Sequence, residues 1–144
     1  QGWGKESRVH CHSGKWTIRE SLAFAEVADL IIGTETGLLN AFGCSEVPKI
    51  ITLSHSSENM LTKHWHNVTV LKQPEGIGCP KRWSENGGAC RQLHGSSGFD
   101  PWLDCPQHKE TGTALCQFHV TPAMMFDAIR SVLDAGLQIE KRAA

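Results

Sequence analysis

The chain has 144 residues, 40% apolar and 20% charged, the composition of a soluble globular protein with length for one domain and one real core. Its formal net charge of -1 gives no electrostatic reason to expect nucleic acid or an anionic membrane, and no apolar run approaches a membrane span. The polar start Gln1-Gly2-Trp3-Gly4 has no signal-peptide core, so a cytoplasmic chain is expected.

Arg8-Val9-His10-Cys11-His12 alternates enough for a short strand, and Ser13-Gly14 turns the chain. Thr17-Ile18-Arg19-Glu20 has capping-box spacing, in which a Thr hydroxyl and a Glu carboxylate satisfy helix-start N–H groups reciprocally. Ile18, Leu22, Ala25 and Ala28 or Phe24 then recur at helical spacing up to Ala28, and Asp29 closes the helix. Leu30-Ile31-Ile32-Gly33 predicts a strand buried on both faces, with Thr34-Glu35-Thr36-Gly37 as a tight loop at its carboxyl end. A short helix from Leu38 to about Cys44 follows, and Pro48 bars its continuation. Lys49-Ile50-Ile51-Thr52-Leu53 is a second buried strand. Ser54-His55-Ser56-Ser57-Glu58-Asn59 is the polar loop at its end, and Val68-Thr69-Val70-Leu71 is a last strand. Alternation of this kind predicts an α/β fold: a three-layer domain with a mostly parallel sheet covered by helices, its two polar loops facing one edge.

Periodicity disappears from 72 to 117, a stretch crowded with Gly and Pro. Trp83, Phe99 and Trp102 argue against disorder there. Residues 1–144 therefore read as a single domain, with 72–117 an irregular Cys-, Gly- and Pro-rich insertion. After it, Thr121-Pro122 opens a final helix with an apolar face of Met125, Ala128, Ile129, Val132 and Leu133. Gly136 is placed to end that helix, leaving Gln138 to Ala144 as a frayed tail.

Of six cysteines, Cys11 and Cys44 fall in segments that read as regular structure, while Cys79, Cys90, Cys105 and Cys116 fall in the insertion. Cys90 and His94 have the spacing of a structural zinc pair, but the remaining spacings are too wide for a zinc signature. Equal separations in Cys79–Cys90 and Cys105–Cys116 suit two disulfide loops, and an intracellular chain would hold them as thiols. A metal site of Cys79, Cys90, His94, Cys105 and Cys116, two disulfides, and buried thiols all stay open.

Function is sought first in the loop at Glu35, since ligands of open α/β sheets dock at strand carboxyl ends, where N–H groups crowd against a phosphate. An acid inside the loop favours a sugar hydroxyl or a cation; the plain alternative is a strand–loop–helix connection with a capping Thr. Cys11 lies between His10 and His12, but strand neighbours point to opposite faces, which argues against a thiol–imidazole pair. His64 and His66 read as surface residues, Met124-Met125 as core, and Glu58-Asn59 as a helix start, with a ribose contact as the alternative.

With these elements in order, Ser13 to Val70 and the final helix resemble the C-terminal half of the ADP-heptose:lipopolysaccharide heptosyltransferase-like enzymes, glycosyltransferase family 9. The resemblance rests on Ala28-Asp29-Leu30-Ile31-Ile32-Gly33, on Glu35-Thr36-Gly37-Leu38-Leu39-Asn40-Ala41 and on Pro48-Lys49-Ile50-Ile51. It implies a GT-B fold of two Rossmann-like domains, of which this one binds the nucleotide sugar, an ADP-sugar-like donor. The donor would lie against Glu35, Thr36, Gly37, Leu38 and Asn40, with Lys15 and Trp16 at the base and Ser54 and His55 bordering it. The family usually has Asp and His where this chain has Glu35 and Asn40. Trp16 stacks on the base in this reading, or else simply covers the edge of the sheet. No acceptor domain or general base is present in these residues, so the catalytic residues are unknown. Either a longer enzyme or a second chain completes the cleft, and the polypeptide alone is expected to be weak or inert. The alternative is a non-catalytic interaction module using the Trp- and Cys-rich insertion.

Overall fold

The computed structural model of this protein describes residues 6–54, 56–72 and 109–143. The first helix, α1 (Ile18–Glu26), begins as its sequence dictates. Thr17 Oγ1 accepts the Glu20 N–H at 3.3 Å, and the Glu20 carboxylate accepts the Thr17 N–H at 2.8 Å. Those bonds from Thr17 hold the Glu20 carboxyl below its ordinary pKa. The helix ends at Val27, short of Ala28.

Strand β1 (Ile31–Thr34) follows, then α2 (Gly37–Ala41), β2 (Lys49–Thr52) and β3 (Val68–Leu71). The strands form a parallel sheet in the order β1-β2-β3, with Ile32 opposite Ile50 and Ile50 opposite Thr69. Two further helices close the described chain, α3 (Leu115–Phe118) and α4 (Pro122–Ala143). Alternation along β2 sends Ile51 to one face and Ile50 to the other. Ile51 and Leu53 pack with Ala25 of α1 and Leu39 of α2, while Ile50 and Leu71 pack with Ala128 of α4. Helices therefore cover both faces of a sheet whose middle strand is wholly buried.

Several expectations need correction. Arg8–His12 is irregular and exposed. Its one aliphatic side chain, Val9, finds no core, and local bonds bend the segment: Val9 N–H to the Glu6 carbonyl at 3.0 Å and Arg8 Nε–H to the Glu6 carboxylate at 2.9 Å. β1 is not buried on both faces, since Ile32 is 45% exposed at a strand that is an edge among the described residues. Ile18 and Phe24, also read as core, are 65% and 58% exposed. α2 stops at Ala41, and residues 58–64 cross back to β3 in turns. Gly136 does not end α4, because the residues after it are mostly strong helix formers and carry the helix on to Ala143.

The strand β2 also carries an unexpected buried charge, Lys49. Its Nζ donates to the Ser45 and His66 carbonyls, each at 2.7 Å, where the turns before β2 and β3 meet. Glu46 staples the same turns, accepting from Asn67 Nδ2 at 2.9 Å and bonding His66 Nδ1 at 2.8 Å. Asn67 adopts φ 45°, a left-handed turn conformation that asparagine tolerates better than most residues. His66 is thus an exposed residue of a polar staple at the amino edge of the sheet, the end opposite the polar loops.

A candidate site at the carboxyl edge of the sheet

The connection between α1 and β1 is short, so the start of α1 and the end of β1 lie at one edge of the sheet. The turn at His12–Lys15 enters there, closed by Lys15 N–H to the His12 carbonyl at 2.9 Å and by Gly14 at φ 72°. It delivers Trp16 against the helix. The indole stacks on the His12 imidazole at 3.9 Å between centroids and 22° between planes, and meets the Phe24 ring at 4.9 Å and 53°.

These rings wall a cavity of about 390 Å³, within the size range of small-molecule sites. His12, Ser13, Gly14, Trp16, Ser21 and Phe24 line one side; Leu30, Ile31, Ile32 and Leu38 line the other. Its lining is largely apolar and aromatic, with His12, Ser13 and Ser21 as its polar side chains. A flat, weakly polar ring system fits such a lining.

The neighbouring loops are joined by Glu35. Its carboxylate accepts the Ser54 N–H, the Ser56 N–H at 3.3 Å and the Ser54 hydroxyl at 3.5 Å, so the ends of β1 and β2 are held together across the sheet edge. Thr36 is the N-cap of α2, yet its side chain makes no capping bond. Its N–H instead donates to the Thr34 carbonyl at 2.7 Å. The capping-Thr expectation for this loop is therefore corrected.

Of the residues read as donor-binding, Trp16 and Leu38 share the cavity, and Glu35 and Ser54 share a hydrogen bond. Lys15, Thr36, Gly37 and Asn40 are exposed and do not line the cavity. His55 lies outside the described residues, as do Cys79, Cys90, His94, Cys105 and the side chain of Cys116, so the zinc and disulfide readings are not addressed. Among the described residues, no group of three or more His, Cys, Asp or Glu is placed to hold a metal ion. Glu58 and Asn59 start no helix, because residues 58–64 are turns, and Glu58 pairs with Lys72 at 2.8 Å. Cys11 and Cys44 are exposed, unbridged thiols.

Sequence reasoning missed three contributors. His12 carries no pattern linking it to Trp16. Phe24 read as core because its spacing matches the helix period. Ser56 acts through its backbone N–H, which no side-chain pattern reveals.

No family model, curated protein or solved structure matches the chain. Among the described residues, no helix is long and apolar enough to cross a membrane.

Proposed function

We propose that the chain is the Rossmann-like, nucleotide-sugar-binding half of a heptosyltransferase-like GT-B glycosyltransferase, with an ADP-sugar-like donor. One observation carries the reading. Trp16 and Leu38, assigned to the donor by the resemblance, line a single aromatic-walled cavity at the carboxyl edge of a parallel sheet, beside the loop that holds Glu35 and Ser54. The nucleobase stacks on the Trp16 wall, and the diphosphate extends toward the Glu35 and Ser54 loops. When an acceptor domain completes the cleft, an acceptor hydroxyl oxygen bonds to the sugar's anomeric carbon as the bond from that carbon to the phosphate oxygen breaks; the nucleotide diphosphate leaves with the electron pair, and the hydroxyl proton passes to a general base. The general base comes from that other half.

The interaction-module alternative also has support. The Glu35 carboxylate is engaged by Ser54 and Ser56, and Phe24, Val27 and Ile32 are exposed apolar side chains. Trp83 and Trp102, which that reading needs exposed, lie outside the described residues.

Calorimetric titration with ADP, UDP and GDP separates the two. The transferase reading expects saturable binding of one nucleotide, with Trp16→Ala removing a stacking contact of about 1–3 kcal/mol, a loss of roughly 5- to 150-fold in affinity. Absence of binding by all three at millimolar concentration, with native circular dichroism, would select the module.

A further inference from the structure

The geometry points to an anion-binding cradle in the loop after β2, which Glu35 occupies as an internal stand-in and from which a phosphate or diphosphate displaces it. Glu35 reaches this loop from 19 to 21 residues away in sequence, and what it meets there is a set of donors. Its Oε1 accepts the Ser54 N–H, the Ser54 hydroxyl at 3.5 Å and the Ser56 N–H at 3.3 Å; Oε2 also accepts the Ser56 N–H, at 3.3 Å. Backbone N–H groups of one loop that converge on one anion are the kind of donors that bind phosphate elsewhere. A carboxylate inserted from a neighbouring loop shows that these donors accept negative charge.

Two further hydroxyls belong to the same loop and strand end. Ser57 Oγ, in the loop, and Thr52 Oγ1, at the end of β2, are buried without a hydrogen-bond partner, at residues 1% and 8% exposed, which is unusual for buried polar atoms. A carboxylate offers two oxygens; a phosphate offers more acceptor sites to the same donors. Thr36 and Gly37, which follow Glu35, are exposed. The chain thus competes with its own ligand, and apparent affinity is reduced by the fraction of molecules in which Glu35 is seated. Taking the natural anion to be a nucleotide's diphosphate rests on the proposed function; the cradle does not.

The test titrates wild type and Glu35→Gln with inorganic pyrophosphate, inorganic phosphate and ADP, following the amide resonances of Ser54 and Ser56. Removing the competing charge is expected to tighten pyrophosphate binding by roughly tenfold or more, with both amides shifting. An equal gain for ADP identifies a nucleotide diphosphate as the source; a gain confined to phosphate and pyrophosphate identifies free phosphate. A folded Glu35→Gln protein that binds pyrophosphate no more tightly than wild type, or that binds it with these amides unmoved, would overturn the inference. Should that variant not fold, Glu35→Asp, which keeps the charge but shortens its reach, is judged by the same criterion. Pyrophosphate carries no base, so its binding to wild type and Glu35→Gln reads the cradle alone, while pyrophosphate binding without ADP binding reads failure of the base cavity.

Discussion

Lys49 stands at the amino end of the middle strand with none of its surface exposed, where its strand neighbours Ile50 and Ile51 are aliphatic. Burial pushes its ammonium below the ordinary lysine value, while the nearby Glu46 carboxylate and Cys44 act in the opposite direction. The sign of the linkage follows. With the folded pKa depressed, the unfolded chain binds more protons in the window between the two values, so stability rises with pH there. The penalty is fully present below the folded value and is relieved by the time pH reaches 10.5, the ordinary value. Urea unfolding of wild type and Lys49→Met from neutral to alkaline pH is expected to show wild type gaining stability relative to the variant in the window just below 10.5. A flat difference would mean that the ammonium is not desolvated. The strand at Lys49 was legible from Ile50 and Ile51, but its buried charge was not: the carbonyls that receive it belong to turns that meet only in the folded chain.

At the scale of elements, the start of α1 is the most local feature and the most legible, because Thr17 and Glu20 complete their bonds within one turn. Strand β3 lies where its β-branched run placed it. The errors share a cause in tertiary context. Arg8–His12 alternates but pairs with no strand among the described residues, and Ile32 belongs to an apolar run whose burial depends on what lies beside β1. Gly136 is the sharpest case, since a glycine near a helix end stops the helix only if the chain takes a left-handed turn there. In α4 it does not, and a Cβ added at Gly136 would meet open space. Gly136→Ala is therefore expected to stabilise the protein by about 0.5–1 kcal/mol, measured by urea unfolding. A loss of stability would show that the bare backbone at Gly136 is in use.

Across the whole molecule, the parallel order β1-β2-β3 and the crossing of Ile50 and Ile51 to opposite faces follow from alternation and from strand spacing. The site was legible in part. Trp16 and Leu38 do meet in one cavity, but Lys15, Thr36, Gly37 and Asn40 do not reach it. Glu35, the acid on which the sequence reading centred, spends its carboxylate on backbone N–H groups of the neighbouring loop. That arrangement depends on the register of two strands, which side-chain identity alone does not reveal. The account rests on nucleotide binding at this edge, so the most direct measurement is amide chemical-shift mapping of the chain titrated with ADP. It predicts saturable shifts gathered at His12 to Trp16, at Glu35 to Leu38 and at Ser54 to Ser56. Shifts confined to the opposite edge around Glu46, Lys49 and His66, or no shifts in a folded protein, would contradict it.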